Sequence, residues 1–254
     1  MNRHTFLFLL GGVFAARGLG RAAIAVRGAD RTDMRVEAND EAYAQRVKKQ
    51  ATPFRGDLRQ LFVCGDSISV GYGPALKVGL RDQMTVTHRR DLPELFPALT
   101  KSLRGYSGPA RSLIEYTEGV LTSSDYRPDL LLLNCGLHDI ARGPENKEQN
   151  YRKDLETLVA LVGRYRATLV WAQTTPKAPG HADNPRIEEF NRISAGVMAA
   201  HRVRYLDLHA FTQRLSASHG AEKVFRSDTV HFTPLASDAQ GTYLAAELLK
   251  AFPG

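Results

Sequence analysis

Leu61-Phe62-Val63-Cys64-Gly65-Asp66-Ser67-Ile68-Ser69 decides how this chain reads. A short apolar run stops at a glycine, and an acid and a serine follow at once. In an α/β protein this is the end of a buried strand opening into a loop at the carboxyl edge of a sheet, where ligands bind. A serine delivered there by a rigid strand can act as a nucleophile, given a base to take its proton.

Outward from that stretch, apolar runs alternate with amphipathic ones. The apolar runs are 61–64, 84–88, 130–135, 167–173 and 204–208. Between them, Tyr151, Leu155, Leu158, Val159 and Val162 fall on one helical face at steps of three and four, and so do Ile187, Phe190, Ile193, Val197 and Met198. Leu244, Leu248 and Leu249 end the chain on another helix. Strand and helix in alternation predict an α/β fold: three layers, α/β/α, with a flavodoxin-like five-stranded parallel sheet and helices on both faces. Leu130-Leu131-Leu132-Leu133 is continuously apolar, as a strand covered on both faces should be.

The start of the chain is separate. Met1-Asn2-Arg3-His4 is basic, the following stretch to Ala16 is apolar around Phe6-Leu7-Phe8-Leu9-Leu10, and small residues lie at Ala15-Ala16 and Ala23-Ile24-Ala25. Residues 1–25 read as a secretory signal peptide, too short to span a bilayer. On that reading the protein is exported to the periplasm or the medium; without it the chain is cytoplasmic. No other segment could cross a membrane. Residues 26–56 are polar, with Gly28, Pro53 and Gly56, and read as a linker or irregular arm. Residues 57–254 form the single expected domain, long enough to bury a core unaided.

Composition excludes several classes. The net charge of +7 comes mainly from arginines scattered along the chain, with no basic cluster longer than pairs such as Lys48-Lys49 and Arg89-Arg90. A nucleic-acid binder would concentrate them in a stripe with interleaved aromatics. The two cysteines, Cys64 and Cys135, each end an apolar run and read as buried hydrophobes rather than a disulfide. No zinc-type spacing occurs, so no metal is expected, and no Gly-x-Gly-x-x-G follows the first strand to hold a nucleotide cofactor.

The chemistry-bearing residues lie in three places. Ser67 is the candidate nucleophile, with Ser69 its local competitor and a helix cap its ordinary alternative role. No Gly-x-Ser-x-Gly elbow occurs. In Asp228-Thr229-Val230-His231 the imidazole is a candidate base, and an Asp three residues before it can reach Nδ1 to fix its tautomer. Asn134-Cys135-Gly136-Leu137-His138-Asp139 follows the most apolar run and points to the same edge, where Asp139 could equally cap the next segment.

Gly65-Asp66-Ser67, Gly108, Gly136-Leu137-His138-Asp139 and Asp228-Thr229-Val230-His231 occur in an order that resembles the GDSL/SGNH hydrolase family, over about residues 58–252. The resemblance implies Ser67 as nucleophile, His231 as base and Asp228 as its orienting acid. It also implies an oxyanion hole from the Ser67 N–H, a loop glycine N–H (Gly108, with Gly105 as fallback) and a side-chain amide. Asp66 and Asp139 are expected to take part in binding. The family usually has Gly-x-Asn-Asp where this chain has Gly-Leu-His-Asp, so His138 stands in for the amide; an imidazole N–H can serve as such a donor.

The family resemblance therefore implies a serine esterase that hydrolyses carboxylic esters through an acyl-enzyme, without cofactor. Two segments, 88–105 and 174–187, are expected to border the pocket, and neither is markedly apolar. That argues against a deep lipid tunnel and for short acyl groups such as acetyl, on a small molecule or a glycan. Acyl transfer and a noncatalytic envelope or carbohydrate-binding module on the same fold are the alternatives.

Overall fold

The computed structural model describes Gln45, Arg46 and residues 54–141 and 146–253. The signal peptide and most of the arm read from the sequence lie outside the described residues. In chain order the elements are β1 (Arg59–Cys64), α1 (Ser67–Leu80), β2 (Met84–His88), α2 (Leu92–Leu95), α3 (Pro97–Ser102), α4 (Ala110–Leu121), β3 (Leu130–Leu133) and α5 (Leu137–Ala141). There follow α6 (Lys147–Arg164), β4 (Thr168–Ala172), α7 (Asn184–Ala200), β5 (Arg204–Leu206), α8 (Leu208–His219), α9 (Ala221–Val224) and α10 (Pro234–Ala251).

The strands form one parallel sheet in the order β2-β1-β3-β4-β5. Register sets Leu61 beside Leu130, Val63 beside Leu132 and Leu131 beside Leu169. Alternation along each strand then splits the core into two layers. Leu61, Val63, Leu130, Leu132 and Val170 face Tyr72, Leu76 and Leu80 of α1 and Leu244 and Leu248 of α10. Phe62, Cys64, Leu131, Leu133 and Trp171 face α4, α6 and α7. Strands buried on both faces are why these runs are continuously apolar.

Local preference alone would not make α1 a helix. It contains Gly71, Gly73, Pro74 and Gly79, which together cost about 6 kcal/mol against alanine. Burial of Ile68, Tyr72, Leu76 and Leu80, at about 1.5–3 kcal/mol each, outweighs that. The glycines also let α10 approach closely. A Cβ on Gly241 would press into the Tyr72 carbonyl and the Leu76 amide.

Strand order reverses direction at β1. Connections leave toward β2 on one side and β3 on the other, and this opens a crevice at the carboxyl ends of β1 and β3. The loops after those two strands carry Asp66-Ser67 and Gly136-Leu137-His138-Asp139.

Candidate active site

Ser67 is the first residue of α1, and Asp66 is its cap. The Asp66 side chain accepts the Ile68 N–H at 3.0 Å. Because the aspartate takes the capping bond, the Ser67 hydroxyl is left for another partner. It lies 2.8 Å from His231 Nε2. Ser69 is fully buried and its hydroxyl donates to the Asp66 carbonyl at 2.8 Å, so it does not face the crevice. Burial pushes the Asp66 carboxyl up, opposed by the nearby His138 imidazole and by the Ile68 N–H.

His231 is held by the turn that contains it. Its Nδ1 lies 2.8 Å from Asp228 Oδ2, while Asp228 Oδ1 accepts the His231 N–H at 2.8 Å and the Val230 N–H at 3.0 Å. Partial burial of Asp228 disfavours its charge, but these backbone and imidazole donors outweigh it and hold the carboxyl at about 2. An ionised carboxylate only accepts. The His231 proton therefore sits on Nδ1, and Nε2 is left to accept from the Ser67 hydroxyl. Thr229, between them, is in the left-handed region at φ 63°, which costs a β-branched residue about 1–2 kcal/mol. Its N–H donates to the Arg226 carbonyl at 2.9 Å and its carbonyl accepts the Ala178 N–H at 2.8 Å, so the turn is clamped from both sides. Asp207, another carboxylate near the sheet's edge, caps α8 through the Ala210 N–H at 2.9 Å.

Gly108 has φ 108°, and a Cβ there would collide with the His138 imidazole. The ring thus packs directly against the glycine. Gly105, by contrast, is exposed with nothing near its Cα. The Gly108 loop is pinned by two further bonds. The Tyr106 hydroxyl donates to the Gly108 carbonyl at 2.9 Å, and Asp139 Oδ1 accepts the Ala110 N–H at 2.9 Å. Asp139 therefore caps α4, a helix distant in sequence, rather than the one it sits in. Burial pushes its carboxyl up to about 6, against the pull of the Ala110 N–H.

A cavity of about 90 Å³ opens at Ser67 and His231, walled by Arg46, Val70, Arg226, Phe232 and Ser237 among others. It is small beside the ~300 Å³ at which drug-sized pockets begin. The segments 88–105 and 174–187 supply no residue to this cavity, but they touch the loops beside it, Arg89 Nε donating to the Gly65 carbonyl and Thr174 packing on Gly136. The first is folded into α2 and α3. The second supplies Pro176, Lys177 and Pro179 to a separate cavity of about 290 Å³ that also includes Phe225. It reaches the Asp228 turn through the Ala178 N–H, which donates to the Thr229 carbonyl.

Arg46 escaped the sequence reading. It donates to the Gly71 carbonyl at 3.0 Å, pairs with Asp238 of α10 and lines the cavity. Nothing local marks it, because its partners are distant in sequence. Both thiols are free and fully buried, and burial pushes Cys64 up to about 12. Among the described residues no cluster of His, Cys, Asp or Glu could hold a metal ion, and no helix is long and apolar enough to cross a membrane.

The family model for the GDSL-like lipase/acylhydrolases matches residues 63–239. The chain belongs to that family. Solved structures repeat the fold at low identity. An acetyl xylan esterase, AlAXEase, is 14% identical with a TM-score of 0.56, covering 76% of this chain and 98% of its own. The psychrotrophic esterase EstA from a Pseudoalteromonas species is 12% identical at TM-score 0.56, over 76% and 98%. A GDSL-like lipase from Bacteroides thetaiotaomicron is 17% identical at TM-score 0.55, over 85% and 99%. No curated protein sequence matches the chain.

Proposed function

We propose that this protein is a serine esterase that hydrolyses carboxylic esters of short acyl groups, acetyl first among them. The observation that carries the reading is the unbroken chain of hydrogen bonds from Ser67 Oγ through His231 to Asp228. In the proposed mechanism Ser67 Oγ attacks the acyl carbonyl carbon while its proton passes to His231 Nε2. Asp228, ionised well below neutrality, stabilises the imidazolium. The negative oxygen of the tetrahedral intermediate takes the Ser67 N–H, the Gly108 N–H and a His138 ring N–H. Collapse breaks the ester C–O bond, His231 returns its proton to the leaving alkoxide, and the acyl-enzyme remains. Water then attacks the acyl carbon, giving its proton to His231, and the carboxylic acid leaves as Ser67 Oγ is reprotonated. Asp66 and Asp139 act through the backbone they hold, one at each donor loop.

The size of the cavity supports the short-acyl reading. The small cavity of about 90 Å³ beside Ser67 and His231 favours an acetyl or propionyl group over a long chain. An acetylated carbohydrate is the carrier we favour, and export by the leader at 1–25 belongs to the same proposal. The test is a series of p-nitrophenyl esters, with acetylated xylan and pectin fragments beside them. kcat/KM is expected to peak at the acetyl or propionyl ester and fall at least tenfold by the octanoyl ester, roughly the loss of 1.4 kcal/mol of transition-state stabilisation. A maximum at eight carbons or more contradicts the short-acyl reading. No turnover of any ester by folded protein contradicts the esterase.

A further inference from the structure

The carboxyl end of β2 lies behind the Ser67 turn and bears no part of the mechanism above. Its last residue, His88, is fully buried. The Arg90 N–H points at His88 Nδ1 from 3.2 Å, so that nitrogen is the acceptor and the ring proton sits on Nε2. Nε2 lies 3.0 Å from the Ser69 hydroxyl and can only donate to it. The Ser69 hydroxyl in turn donates to the Asp66 carbonyl at 2.8 Å. That carbonyl belongs to the same peptide unit as the Ser67 N–H. Each bond in the sequence Nε2–H to Ser69 Oγ, then Ser69 O–H to Asp66 C=O, polarises the next. The last one draws electron density toward the carbonyl oxygen and leaves the Ser67 N–H more positive.

We infer that His88 and Ser69 are positioning residues that orient and polarise the Asp66–Ser67 peptide, so that its N–H stabilises the transition-state oxyanion. The inference rests on the reading of Ser67 as nucleophile. Burial keeps His88 neutral, in the form the relay requires. The backbone that carries the ring is also fixed. The His88 N–H donates to Asp91 Oδ2 at 2.6 Å, and the same carboxylate pairs with Lys77 of α1 at 2.7 Å. The turn also has tethers outside the relay. The Asp66 carbonyl accepts the Ser69 N–H at 3.2 Å, and Arg89 Nε donates to the Gly65 carbonyl at 3.0 Å. Loss of the relay therefore weakens a donor without undoing the turn.

The experiment compares full-length wild type with Ser69→Ala, His88→Leu, the double variant and His88→Gln, whose amide N–H can replace Nε2–H. Each is checked for folding by circular dichroism and titrated for active sites with a fluorophosphonate. Ser69→Ala is expected to lower kcat per titrated site by about 10–100-fold, less than the 10²–10³-fold of losing a donor outright. KM should change less than threefold, as for an interaction made only in the transition state. His88→Leu should match it, the double variant should be no worse than either, and His88→Gln should recover most of the loss. Folded Ser69→Ala with kcat per site within twofold of wild type overturns the relay. So does a loss that appears in KM, or losses that multiply in the double variant. Failure of the wild type to label at Ser67 overturns the esterase reading itself and the relay with it, which separates the two failures.

Discussion

Division of labour between Asp66 and Ser67 settles which serine meets a base. A serine opening a helix commonly caps it. Here the aspartate before it takes that bond, so the Ser67 hydroxyl meets His231 while Ser69 turns inward. The same economy holds at Asp228, whose Oδ1 builds the turn and whose Oδ2 fixes the imidazole. Asp228→Asn keeps the first bond, because the amide oxygen still accepts the backbone N–H. It replaces the second with a donor facing Nδ1 and so favours the wrong tautomer. We expect kcat to fall by about 10⁴-fold, as for the equivalent change in a serine protease, with little loss of stability. Near-wild-type turnover by folded Asp228→Asn would remove the carboxylate from the mechanism. Ser67, Asp228 and His231 could be picked out as candidates in the sequence because each sits in a short local pattern, and the resemblance joined them; the structure sets them within hydrogen-bond distance. Arg46 and His88 could not. Their partners lie at Gly71 and Asp238, and at Ser69, and only the fold brings them together.

At the scale of elements, the strands were the plainest feature, since runs buried on both faces cannot be mistaken for amphipathic helices. The long helices at α6 and α7 showed their 3.6-residue stripe. α1 did not, because three glycines and Pro74 blur its pattern, and its stability comes from packing on β1 and α10. The contact at Gly241 gives a test. Gly241→Ala pushes a methyl into the Tyr72 carbonyl and the Leu76 amide, and should destabilise the protein by about 1–3 kcal/mol despite alanine's better helix propensity. Gly196 is on the exposed face of α7 with open space at its Cα, so Gly196→Ala should stabilise by about 0.4–1 kcal/mol. Urea denaturation of both variants reads the contrast. Equal effects of one sign would contradict the close approach of α1 and α10. The short helices α2 and α3 had no stripe to read.

For the whole molecule, strand order matters most, because the reversal at β1 puts the loops after β1 and β3 side by side. Asp139, half-buried after β3, ties that loop to the Gly108 loop through the Ala110 N–H, with a consequence for stability. Its carboxyl is raised from an ordinary 3.8 to about 6, so between those values the folded chain keeps a proton that the unfolded chain has lost. Stability then falls as pH rises through this window and levels off above it. Asp139→Asn retains the bond from Ala110 and removes the charge. The advantage of Asp139→Asn over wild type should grow by on the order of 2 kcal/mol between pH 4 and pH 7. A difference that stays flat with pH would mean that Asp139 is solvated.

The central claim is that Ser67 becomes covalently acylated with His231 as its base. A fluorophosphonate probe on the full chain, followed by peptide mass spectrometry, tests it directly. The account predicts one adduct per chain on Ser67, lost completely in Ser67→Ala and slowed by orders of magnitude in Asp228→Asn. An adduct on Ser69 or any other residue, or folded wild-type protein that takes no label, would contradict it.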